Sequence, residues 1–62
     1  MEPFDLVGVD GNAFSIIAYT TRAMKKAGFR DQVEQYQKEA TSGDYNSLVC
    51  MSVGWIDKCN EA

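Results

Sequence analysis

Histidine is absent from this chain of 62 residues, proline occurs once, and the only two cysteines, Cys50 and Cys59, are nine positions apart. Without an imidazole, a thiolate lacks its usual general base and a zinc site loses a common nitrogen ligand. Neither nucleophilic catalysis nor a structural zinc centre is therefore expected. Both cysteines fall in one helical stretch, on opposite sides and roughly 13 Å apart along the axis. A disulfide needs Cα atoms within about 7 Å, so free thiols are expected, which suits a cytosolic setting. Long apolar runs are missing too. Nothing approaches the ~20 residues that cross a bilayer, and Met1-Glu2-Pro3-Phe4-Asp5 lacks the basic start and apolar core of a secretion signal. Positive charge is scarce: six Lys and Arg stand against nine Asp and Glu, for a net charge of −3 and a pI near 4.6. That balance works against nonspecific attachment to nucleic acid or anionic membranes. Together these absences predict a soluble cytoplasmic protein that is not an enzyme and holds no cofactor or resident metal.

What is present reads as one small domain over residues 1–62. A chain of this length buries only ~60% of the surface that its unfolded form exposes, and such domains lean on disulfides, metals or self-association. With the first two excluded, self-association remains, and a homodimer is expected. Val7 and Val9 in a weakly alternating run, bounded by Pro3 and by Asp10-Gly11, predict a short strand over about 5–9. Helical spacing follows. Ala13, Ile16, Ile17, Thr20, Met24 and Ala27 share one face of a first helix over about 12–27, with Asp10 or Asn12 as its cap and Gly28 as its left-handed stop. Val33, Tyr36 and Ala40 form a narrow stripe on a second helix over about 31–41. Asp44 caps a third over about 44–60, whose Tyr45, Leu48, Val49, Ser52, Trp55, Ile56 and Cys59 supply the main core face. The expected fold is mainly α: a compact three-helix unit preceded by one β-strand. A lone strand leaves open N–H and C=O groups, so it must lie on the helices, pair with its copy across a homodimer, or await a partner's strand.

Three features carry possible chemistry. Asp10-Gly11-Asn12 joins the strand to the first helix, and Gly11 is expected to adopt a backbone angle that other residues resist. Arg22, Lys25, Lys26 and Arg30 gather four of the six cations near the end of that helix. There they complement the helix dipole and form a candidate anion contact, without the repeated aromatic interleaving that single-strand nucleic-acid binders require. Ser47, Cys50, Met51 and Gly54 form a stripe of small or flexible residues off the core face of the third helix. A mid-helix Gly costs ~1 kcal/mol relative to Ala, so Gly54 calls for a packing reason, such as the close approach of a second chain.

The order strand, Asp-Gly-Asn, helix resembles the first metal-binding segment of the PIN and flap-nuclease families, and the resemblance implies Asp10 as a divalent-cation ligand. Over most of its length the chain is similar to short, mostly uncharacterised bacterial and phage proteins that carry VGxDGNAF, here Val7–Phe14, and end in a helix like SLVCMSVGWIDKCN. That resemblance implies a bacterial or phage source, and among small acidic phage proteins the blocking of host proteins, defence systems included, is common. The leading expectation is thus a noncatalytic interaction module: a homodimer encoded by a phage or prophage that inhibits a bacterial defence protein. Phe4, Leu6, Val7, Met51 and Gly54 are its candidate contact residues. A nucleic-acid accessory protein using Arg22, Lys25, Lys26 and Arg30, and a divalent-metal protein using Asp10, are the alternatives.

Overall fold

Asn12 begins the helical part of the chain: its backbone is extended and its side-chain oxygen accepts the Phe14 N–H at 2.8 Å, satisfying one orphan donor of the first turn. In the computed structural model, which describes residues 3–62, helix α1 then spans Ala13–Lys26. A Schellman stop closes it. Gly28 takes φ 94°, the Phe29 N–H reaches back to the Met24 carbonyl at 2.7 Å, and the Gly28 N–H reaches that of Lys25. A single 3-10 turn, Arg30–Gln32, leads into α2, Val33–Ser42. Helix α3, Tyr45–Glu61, starts at Asp44, whose carboxylate accepts the Ser47 N–H at 2.9 Å. The expected helix boundaries hold to within about two residues. The main difference is the 3-10 turn, which delays the start of α2.

The strand expected over 5–9 does not form, and no strand exists among the described residues. The reason is local. The Asp5 carboxylate accepts the Val7 N–H at 2.9 Å, and the Val9 N–H returns to the Leu6 carbonyl at 3.0 Å across Val7-Gly8, with Gly8 at φ 89°. That is the type II turn geometry, which favours Gly at its third position. The left-handed backbone is therefore at Gly8, not at Gly11, whose φ is not positive. In place of a ladder, the arm's backbone groups pair with helix side chains. The Asn60 amide brackets Phe4, its Oδ1 accepting the Phe4 N–H at 2.7 Å and its Nδ2 donating to the Phe4 carbonyl at 2.9 Å. The Asp5 N–H donates to the Tyr19 hydroxyl at 2.8 Å, and the Tyr45 hydroxyl donates to the Gly11 carbonyl. Because the arm meets Asn60 first and Tyr45 last, it runs antiparallel to α3. These bonds occupy groups that a second copy's strand would need, so strand pairing across a dimer has no support.

The arm thus acts as a fourth packing segment. Ile16, Ala23 and Met24 of α1, Val33, Tyr36 and Ala40 of α2, and Leu48, Ile56 and Cys59 of α3 form the buried core, with Phe4 and Leu6 of the arm packed against it. Three hydroxyls lie at its centre. The Tyr36 hydroxyl and Ser52 Oγ are 2.6 Å apart, whereas the fully buried Thr20 Oγ1 has no partner among the described residues, a deficit of the kind that costs ~1–3 kcal/mol. At one end Phe29 meets Trp55 edge-on, ring centroids 5.5 Å apart, and the Lys58 ammonium lies 4.6 Å from the Trp55 ring. The radius of gyration is 10.6 Å, equal to the ~10.6 Å of a self-contained domain of this length.

Candidate interaction surface

The residues expected to meet a partner divide by exposure. Val7, at the tip of the arm's turn, is 86% exposed. Phe4 and Leu6 are half-buried against the chain's own core, and so is Met51. Phe4, Leu6 and Val7 share a shallow hollow of about 210 Å³ with Val53, Ile56 and Asn60 of α3. Met51 and Gly54 lie outside it. Gly54 faces outward, and a Cβ built there meets nothing within 4 Å. No close approach inside this chain therefore requires glycine at that position. Cys50 is exposed beside it, while Cys59 is buried, and loss of solvation pushes the Cys59 thiol above its ordinary pKa.

Phe14 was missed by the periodicity and is 82% exposed. It lies in the first turn of α1, off the apolar face, and the signal was there to read: a large aromatic at a position where the helical pattern asks for a polar residue. Phe14 borders a groove of about 270 Å³ where the starts of α1 and α3 meet the end of α2, lined by Ala13, Ile17, Ala40, Tyr45 and Leu48. The groove walls are apolar because Ile17 and Leu48 turn inward from adjoining helices, while Tyr45, half exposed, is tethered by its hydroxyl to the Gly11 carbonyl. Asp44 contributes the only charged side chain of that lining. Its carboxyl is held below the ordinary aspartate value, chiefly by the Ser47 backbone N–H and then by the Ser47 side chain.

The four cations separate. Arg22 and Lys26, one turn apart on α1, line a cleft of about 190 Å³ together with Phe4, Tyr19 and Ala23. Lys25 and Arg30 are exposed elsewhere, on the next face of α1 and in the 3-10 turn. Asp10 builds a turn: its Oδ1 accepts the Asn12 N–H at 3.1 Å and so presents the capping residue. Among the described residues no group of three or more His, Cys, Asp or Glu side chains is placed to hold a metal ion, so no co-ligand set forms around Asp10. Among the described residues no helix is long and apolar enough to cross a membrane. Comparison with family models, curated proteins and solved structures finds no match to this chain.

Proposed function

We propose that this chain is a noncatalytic protein-interaction module that pairs with a second copy of itself through the Phe14 end and meets a bacterial protein with the surface left outside. The carrying observation is Phe14, 82% exposed at the rim of an apolar groove. A projecting ring beside a hollow on the same patch is self-complementary, as a two-fold interface requires: each copy's Phe14 can fill the other's groove. Burying a phenylalanine side chain is worth roughly 1.5–3 kcal/mol, and a two-fold contact gains it twice. In its narrower form the proposal places the module in a bacterial cytoplasm as a phage or prophage inhibitor of a defence protein, a reading supported by the VGxDGNAF resemblance.

Compared with the contact set expected from sequence, Phe14 and Tyr45 take the leading place, Val7 and Gly54 keep theirs, and Phe4, Leu6 and Met51 serve the chain's own core. Sedimentation velocity from micromolar to millimolar concentration tests the pairing. The parent chain is expected to shift from monomer to dimer, and Phe14→Ser to stay monomeric with an unchanged helical circular dichroism spectrum. A parent that is monomeric throughout, or a Phe14→Ser variant that dimerises equally well, overturns the assignment.

A further inference from the structure

A second surface carries different chemistry and does not depend on the pairing through Phe14. We propose that the cleft between the arm and α1, lined by Phe4, Tyr19, Arg22, Ala23 and Lys26, binds a phosphate monoester. Arg22 and Lys26 are four residues apart and share one face of α1, an arrangement of like charges that works against the helix when nothing stands between them. Among the described residues no carboxylate lines the cleft; that of Asp5 is turned to its own loop, where one oxygen accepts the Val7 N–H at 2.9 Å. Tyr19 supplies a third group. Its oxygen accepts the Asp5 N–H at 2.8 Å, and a phenol that accepts through oxygen still has its proton to donate. Among the described residues that proton has no acceptor, and Tyr19 borders the same cleft.

An arginine fork, an ammonium and a phenolic donor around one hollow make up a donor set with two positive charges and no acceptor in need of a proton. A phosphate dianion offers the matching charge and several acceptor oxygens. A single carboxylate would neutralise only half of the charge. The cleft volume of about 190 Å³ leaves room for the esterified group beside the Phe4 ring. An extended nucleic acid does not fit the rest of the molecule: outside the cluster only Lys38 and Lys58 stand against nine acidic residues, a surface that repels a polyanion. The ester can come from a free metabolite or from a phosphorylated side chain of a protein.

Titration of the ¹⁵N-labelled chain with inorganic phosphate and with phenyl phosphate, followed by amide chemical shifts, tests the site. Saturable shifts confined to the arm around Phe4 and Asp5 and to α1 from Tyr19 to Lys26 are expected, weakening with added salt. Arg22→Gln and Lys26→Gln should each weaken binding about tenfold or more, the usual effect of losing a charge-assisted hydrogen bond. Lys25→Gln should leave it unchanged, and Tyr19→Phe should weaken it without altering the helical spectrum. A phosphotyrosine peptide that binds much more tightly than phenyl phosphate identifies a phosphorylated protein as the source, and equal affinity identifies a free metabolite. Shifts that do not saturate, or that Lys25→Gln removes as fully as Arg22→Gln does, overturn the proposal.

Discussion

The hydrogen bond between Tyr36 and Ser52 holds the centre of the core and gives the sharpest test of how this fold is stabilised. Tyr36 is 1% exposed and Ser52 fully buried, with their oxygens 2.6 Å apart. Replacing Ser52 with Ala leaves the phenol without a partner and without water, at a cost of ~1–3 kcal/mol. For a domain of this size each kcal/mol moves the melting temperature by roughly 4–8 °C, so Ser52→Ala should melt at least ~4 °C and up to ~20 °C below the parent. A domain this small commands only ~3–5 kcal/mol in total, so a loss at the upper end comes close to unfolding it. Tyr36→Phe should be milder, because the stranded Ser52 hydroxyl can turn to a carbonyl one turn back on α3. The double variant leaves neither group stranded and loses only the net worth of the bond, ~0.5–1.5 kcal/mol. Its destabilisation should therefore be smaller than the sum of the single effects by about 1 kcal/mol. Urea denaturation followed by circular dichroism, with the slope unchanged across the four proteins, measures the cycle. Single effects that add to the double within ~0.3–0.5 kcal/mol would show the two hydroxyls to be energetically independent, and the reasoning would be refuted.

Two further perturbations follow from the helices. Gly54 sits in the middle of α3 with open space where its Cβ would stand, so Gly54→Ala should raise monomer stability by about 0.5–1 kcal/mol; a destabilised variant in denaturant titration would mean that glycine is required there by a contact of the folded chain. Asp44 contributes through its ionised form, since the Ser47 N–H holds its folded pKa below the ordinary aspartate value of 3.8. Its stabilisation is complete above the unfolded value and is lost as pH falls through the folded one. Asp44→Asn keeps a capping acceptor and should match the parent's shape near neutrality while showing a flatter loss of stability below about pH 4. Identical acid limbs for the two proteins would remove this carboxylate from the account.

Helical periodicity carried most of the fold. The narrow stripe Val33, Tyr36 and Ala40 is buried as a unit, and Leu48, Ser52, Ile56 and Cys59 form the inner line of α3. Both phenomena depend on a repeat near 3.6 residues, which neighbouring helices reinforce. The caps at Asn12 and Asp44 and the stop at Gly28 were legible because each rests on a local rule. The arm was not, because Val7 and Val9 have strand-like propensity while the described residues contain no second strand to pair with them. Propensity yielded to a type II turn at Gly8 and to Asn60, which is 56 positions from the Phe4 that it brackets. A pairing that distant leaves no mark in a local window. Phe4 and Leu6 look free in a local window for the same reason, since the core they pack against is distant in sequence. Phe14 escapes a periodicity reading because that signal comes from the face where apolar residues accumulate, and Phe14 lies off it.

The position of the arm also decides where function can reside. Fourteen residues of α1 span about 21 Å, with Phe14 in the first turn and Lys26 at the last. The apolar groove, lined from α1 by Ala13, Phe14 and Ile17, and the basic cleft, lined by Tyr19, Arg22, Ala23 and Lys26, therefore lie toward opposite ends of one helix, their centres roughly 12 Å apart along its axis. The arm links them. It leaves the Tyr45 end at Gly11 and closes the cleft at Phe4, held by Asn60 and Tyr19. A two-fold pair formed at Phe14 would turn its two clefts outward to the ends of the assembly. Two equivalent clefts at fixed separation favour a ligand that carries two phosphate esters or a partner that is itself dimeric, because the second contact then forms at the effective concentration set by the first. The same geometry makes a dimer-breaking change at Phe14 weaken a bivalent partner far more than a monovalent phosphate ester, whose binding needs only one arm and one α1.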